Sequence, residues 1–147
     1  MRIIAPLLAS LAATATLAAP STAPDTRLPA ERHDGELAYV TGGIGRDEAR
    51  AMEHAARKYP LELVFVARDG KRDDYLANVP VTIKDHKGNV VFEGSSDGPY
   101  FLARLPAGRY VITSREGEHS FTRRATVDEG KTQRIVFEWK AGASHSA

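Results

Sequence analysis

The chain has 147 residues, of which 27% are charged and 42% hydrophobic, which suits one soluble globular domain with short appendages. Twenty Lys and Arg against nineteen Asp and Glu leave a formal charge of +1, which argues against a strongly basic nucleic-acid binder and against an acidic, solvating tail protein. No cysteine is present, so disulfides, thiolate metal sites, a Cys nucleophile and lipid attachment through Cys are excluded.

Met1-Arg2 is a short positive start, Ile3 to Leu17 is a run of Ile, Leu and Ala, and small residues cluster at Ala15, Ala18 and Ala19. This is the pattern of a secretory signal peptide over residues 1–18, with cleavage expected after Ala15 or Ala18. The run is too short and too rich in Ala and Thr to span a bilayer well, and no other long apolar run follows, so no transmembrane segment is expected in the mature chain. Residues 19–35 are rich in Pro, Ser, Thr and charge without apolar periodicity, and read as a flexible linker. Residues 141–147 read as a disordered tail.

Residues 36–60 read as a Gly-rich turn and a helix. Leu37 to Val40 suits a short strand, followed by Thr41-Gly42-Gly43-Ile44-Gly45. Ala49, Met52, Ala56 and Tyr59 then fall on one helical face, opposite Arg50, Glu53, His54 and Arg57, with Glu53 and Arg57 placed to pair. Gly45 or Asp47 caps the start, acidic Asp47 and Glu48 suit the positive end, and Pro60 ends the helix.

Beyond Pro60 the period changes to two. Leu61, Leu63 and Phe65 alternate with Glu62, Val64 and Val66, and Val79, Val81 and Ile83 with Pro80, Thr82 and Lys84. Further strands are expected at 90–92, 100–105, 109–114, 121–127 and 134–139, separated by turns at 85–89, 106–108, 116–117 and 128–131. About seven short strands with regular turn signals predict a mainly β fold, an antiparallel β-sandwich over residues 61–140 with one N-terminal α-helix.

Residues 77–127 resemble the carboxypeptidase regulatory-like domain, a prealbumin-like (transthyretin-like) sandwich. The resemblance rests on Asn78-Val79-Pro80-Val81-Thr82-Ile83, Gly88-Asn89-Val90, Asp97-Gly98-Pro99-Tyr100-Phe101-Leu102 and Leu105-Pro106-Ala107-Gly108-Arg109-Tyr110-Val111. It implies a fold shared with carbohydrate-binding modules and is nearly silent on chemistry. The Thr41–Gly45 segment and Tyr59-Pro60-Leu61-Glu62-Leu63-Val64-Phe65 also resemble small exported bacterial proteins that carry this domain. Gly98 and Gly108 are expected to take backbone angles that other residues resist, and Tyr110 to bury its ring and tie its hydroxyl to nearby backbone.

No catalytic constellation stands out. His33-Asp34-Gly35-Glu36 has the H-x-x-E spacing of zinc carboxypeptidase ligands, but no third ligand lies at a recognisable spacing, and solvated side chains are the simpler reading. Gly42, Gly43 and Gly45 lie between strand and helix, where backbone N–H groups can hold an anion, although Asp47 and Glu48 stand against one and a tight turn with a helix cap is the simpler reading. The dinucleotide fingerprint, the P-loop and the G-x-S-x-G elbow are missing, and the C-terminal Tyr-Arg-Gly-Ser of transthyretin-like hydroxyisourate hydrolases is replaced by Glu138-Trp139-Lys140. Asp73-Asp74 lacks the EF-hand pattern. Tyr75, Tyr100 and Trp139 could stack on a sugar. Arg115, Arg123, Arg124 and Arg134 form a basic stripe that could meet an acidic partner.

The sequence therefore predicts an exported, periplasmic or secreted, non-enzymatic sandwich that needs no cofactor or metal. Its expected role is binding or structural in the bacterial cell envelope, with an envelope or secreted protein as partner. A small-ligand or carbohydrate-binding module is the alternative, with a glycan as partner, and an accessory domain of a hydrolase stands third. The candidate contact residues are Gly42, Gly43, Gly45, Tyr75, Tyr100 and Trp139.

Overall fold

Alternation of buried and exposed residues builds most of the molecule. The computed structural model describes Ala15 and residues 28–141. The expected signal peptide, apart from Ala15, the linker up to residue 27 and the tail from residue 142 lie outside the described residues. In chain order the elements are β1 (Arg32–Asp34), β2 (Leu37–Gly42), α1 (Arg46–Ala55) running into a 3-10 turn (Ala56–Lys58), β3 (Leu61–Asp69) and β4 (Arg72–Tyr75). Then follow β5 (Val79–Asp85), β6 (Val90–Ser96), β7 (Tyr100–Arg104), β8 (Gly108–Glu116), β9 (His119–Val127) and β10 (Gln133–Lys140).

Two sheets face each other in a sandwich-like fold. The six-stranded sheet runs β1-β2-β7-β3-β10, with β4 joining the far half of β3; the four-stranded sheet runs β6-β5-β8-β9. Among the described residues the strands number ten, not seven. Each of the three additional strands has a physical reason. β2 was foreseen only to Val40, and it pairs with β7 through Gly42, which places it inside the sheet. β1 and β4 are exposed along their whole lengths, so they carry no apolar alternation and exist through pairing with β2 and β3. β1 also moves the start of the ordered domain back into the segment expected to be a flexible linker. There Arg32 bonds Asp97 at 2.8 Å and Leu28 packs against buried residues. The pairing is not wholly antiparallel either, because β10 lies parallel to β3 from Gln133↔Leu61 to Lys140↔Arg68.

Leu63, Phe65, Ile83, Phe101, Ile112 and Phe137 fill the space between the sheets, each below 2% exposed. β3 is buried on both faces from Leu61 to Val66, a continuous apolar run where strict alternation would leave one face wet. The reason is the helix. Met52, Ala55, Ala56 and Tyr59 lie on the outer face of the six-stranded sheet and cover Val40, Val64 and Leu102. The molecule is thus layered as four-stranded sheet, six-stranded sheet and helix. Among the described residues no helix is long and apolar enough to cross a membrane.

Candidate functional site

The Gly-rich segment is positioned by close packing. Gly42 ends β2, and helix α1 starts after Gly45, whose φ of +89° suits glycine. No side chain caps the helix at Gly45; instead Glu48 in the first turn reaches back and accepts the Gly43 N–H at 2.8 Å. A carboxylate of the chain itself thus sits where an anion would bind, and the same bond joins the helix to the strand that feeds it. Gly43, at φ +102°, lies on the Tyr100 ring, so a Cβ there would overlap the ring. A Cβ on Gly98 would overlap the Gly42 backbone. Gly98 is therefore needed for close approach, and it is absent from the positive-φ residues, contrary to the expectation of an unusual backbone angle.

Beneath this junction lies a buried polar knot. The Thr41 hydroxyl donates to the Tyr100 carbonyl at 3.1 Å, accepts the Asp97 N–H at 2.9 Å and meets Ser96 Oγ at 2.9 Å. Ser96 Oγ also lies 2.6 Å from the Gly98 carbonyl. Every buried side-chain polar atom among the described residues has a partner, so the knot stabilises the sandwich and presents no free group to a ligand.

Of the candidate contact residues, the structure gathers Gly42, Gly43, Tyr100 and Tyr75 and leaves Trp139 apart. Tyr100 is buried, and its hydroxyl donates to Glu53 Oε1 at 2.7 Å. Burial, first, and the Glu53 hydrogen bond push its pKa well above the ordinary tyrosine value. Tyr75, 59% exposed, stacks on Tyr100 with ring centroids 6.1 Å apart. Trp139 is 3% exposed, stacks with Phe65 and Phe137 and donates its Nε1–H to the His119 carbonyl at 3.1 Å. It is a corner of the core, so it offers no face for a sugar, and Tyr75 alone among the three aromatics is accessible. Glu53, expected to pair with Arg57, is instead committed to Tyr100.

The other constellations disperse. His33 lies on β1, its Nε2 3.7 Å from Glu31, and among the described residues no group of three His, Asp or Glu is gathered as a metal would need. Tyr110 follows expectation: its ring is buried and its hydroxyl donates to the Pro106 carbonyl at 2.6 Å. A cleft of about 330 Å³ lies between the end of the helix and the β9–β10 turn, lined by Arg57, Arg104, Lys131, Asp128 and Glu129 among others. At its edge Tyr59 donates to Glu31 Oε2 at 2.6 Å beneath the Arg104 guanidinium. Burial, followed by the Glu31 bond, pushes the Tyr59 pKa up to about 12.

The basic stripe divides between the sheets. Arg134 lies on β10 and pairs with buried Glu62 at 3.5 Å. Arg115 and Arg124 lie on the outer face of the four-stranded sheet, while Arg123 at its edge covers the Phe121 ring at 5.3 Å. Two further basic residues share that outer face, Lys84 and Arg109, which the expected stripe leaves out although both alternate with buried neighbours, Ile83 and Tyr110.

Residues 61–137, from the start of β3 into β10, match the model of the Rhizobiales growth-associated tandem repeat domain. No curated protein matches the chain. Among solved structures, the chain is similar to the minor pilin GBS52 of the gram-positive pathogen Streptococcus agalactiae, at 21% identity and a TM-score of 0.44. The likeness covers 54% of this chain and 43% of that chain, less than half of the pilin's length.

Proposed function

The chain belongs to the Rhizobiales growth-associated tandem repeat domain family, and from that premise we propose that it is an exported, non-catalytic β-sandwich module with a binding or structural role in the bacterial cell envelope. The observation that carries this reading is the parallel pairing of β3 with β10. The matched region begins on one of these strands and ends on the other. Because they run side by side in the same direction, the chain enters the region at one end of the sandwich and leaves at the opposite end. The match ends at Phe137, opposite Phe65, and the eight paired positions of the whole ladder, at about 3.3 Å each, carry the end of β10 about 25 Å past Leu61. Such a domain can be strung head to tail in a row, as a tandem repeat requires.

Export rests on the sequence of residues 1–18. The absence of catalysis rests on hydroxyls and carboxylates that are already committed: Thr41 and Ser96 to the knot, Glu48 to Gly43, Glu53 to Tyr100. Kinship with carboxypeptidase regulatory-like domains belongs to the same proposal, supported by the Asp97-Gly98 turn and the Tyr110 hydroxyl bond.

Fractionation of cells that express a C-terminally tagged chain tests the reading. Recovery from the periplasm or the medium, shortened by the leader and cross-linked to an envelope component, is the expected result. Retention of the full-length chain in the cytoplasm would overturn it.

A further inference from the structure

We propose that the outer face of the four-stranded sheet binds a carboxylate-bearing polysaccharide laid across its strands. The strand registers place the side chains of this face in rows. One row runs Glu93–Thr82–Thr113–Thr122 across all four strands, and Thr113 Oγ1 lies 3.1 Å from Thr122 Oγ1. On one side of it lie Lys84, Val111 and Arg124, with Arg109 and Thr126 beyond them. On the other side Arg115 stands opposite Ser120, beside a shallow trough of about 460 Å³ that Ser95 and Thr82 also line. Hydroxyls thus occupy the middle of the face, and cations flank them.

Charge sets this face apart from the rest of the molecule. Lys84, Arg109, Arg115 and Arg124 are exposed, and Glu93 is the acidic residue among the rows. None of these five makes an ion pair among the described residues. Every ion pair described includes a residue of the six-stranded sheet or of the segment leading into it: Arg32, His33, Arg68, Arg104 or Arg134. A chain with almost no net charge has therefore neutralised one sheet and left the other positive. Clustered cations repel one another, and an anion laid between them relieves that repulsion.

The residue types select among anions. Three of the four cations are arginines, whose planar forks match carboxylates in bidentate fashion. The hydroxyl row both donates and accepts, so it suits a polymer that carries many hydroxyls of its own. No aromatic side chain projects from these rows, since Phe92, Tyr110 and Phe121 point inward, so neither neutral sugars nor nucleic-acid bases find a stacking surface. An acidic peptide would want apolar pockets for its side chains, and this face supplies Pro80, Val90 and Val111, spread over three strands. The hydroxyl row crosses four strands, about 14 Å at about 4.8 Å between neighbours, and Arg109 and Arg115 stand about 20 Å apart on its two sides, a spread that a polymer laid along the row covers and a small anion does not.

This inference deepens the reading of an envelope binding module and rests on export to bring the face to such a glycan. A binding assay on the purified protein separates its failure from failure of export, which fractionation detects. The probes are polygalacturonate, neutral dextran, poly-glutamate and phosphatidylglycerol vesicles. Expected are binding of polygalacturonate that weakens with salt, no binding of dextran, and weaker binding of poly-glutamate. Joint replacement Arg109→Gln, Arg115→Gln and Arg124→Gln should lower the affinity for polygalacturonate at least tenfold, and Arg124→Gln alone should lower it measurably. Arg50→Gln, on the exposed side of the helix, should leave it unchanged. Thr113→Val should weaken polygalacturonate binding several-fold and spare poly-glutamate. Equal or tighter binding of poly-glutamate, binding of vesicles only, an unchanged affinity in folded Arg124→Gln, or no binding of polygalacturonate would each overturn the proposal.

Discussion

Glu62 shows how a single side chain records the layer laid over it. It stands on β3 between two core residues, yet the helix buries it on the outer face, leaving its side chain 9% exposed beside Arg134. Burial raises its pKa above the ordinary 4.5, and Arg134 opposes the rise without cancelling it. A raised folded pKa means that folding favours the protonated acid. That contribution is fully present below 4.5 and is lost as pH rises through the folded value, so ionised Glu62 is a cost at neutral pH. Glu62→Gln should therefore raise the melting temperature at pH 7, and the gain should fade as melting is repeated toward pH 4. Arg134, still half-exposed, would remain hydrated. Tyr110→Phe should act the other way and lower stability by about 1 kcal/mol in a denaturant titration, through loss of the hydroxyl bond to Pro106. Tyr110 was legible from the sequence because its role is local, four residues from its partner. Trp139 was misread as a stacking face for a sugar, although it shares strand parity with Ile135 and Phe137 and is buried with them. The role of Glu48 was not legible, because its bond to Gly43 depends on how the Gly42–Gly45 turn folds back.

The helix is held by few contacts, and Met52 is the largest of them. It is wholly buried against the outer face of the six-stranded sheet, next to small Ala55 and Ala56. Met52→Ala should cost about 2–5 kcal/mol. Hydrogen exchange should show the loss first in the amides of α1, before those of β3 or β8. The helix itself was legible: its apolar spacing, acidic first turn and terminal proline agree with one another. Seven strands were legible as well, five of them from one wet and one dry face and β3 and β7 from short apolar runs bounded by turn signals. β1 and β4 were not, since a strand exposed on both faces has no pattern apart from its pairing partner. The continuous burial of β3 was hidden for a related reason, because alternation at Leu61, Leu63 and Phe65 describes only the inner face.

Across the whole molecule, the family-matched region and the folding unit differ in extent. The match starts at residue 61, whereas β2 lies between β1 and β7 within the sheet and the helix seals the outer face. A fragment limited to residues 61–140 would bare the β7 edge together with Val64 and Leu102. Unpaired edges and exposed apolar faces invite association. Such a fragment should bind a hydrophobic dye and aggregate at concentrations where residues 28–141 stay dispersed, as light scattering would show. Residues 28–60 are in this sense part of the domain.

The side-by-side course of β3 and β10 also decides how the molecule meets tension. A pull applied at Leu61 and Lys140 runs along both strands, in opposite directions on the two. It loads the whole ladder between them in shear, so the backbone hydrogen bonds must yield together and not one after another as in a peeled hairpin. Trp139, wedged beside Phe65 and bonded to His119, reinforces the far end of that ladder. Held at those two points, the molecule would resist extension at low force and give way abruptly above a threshold.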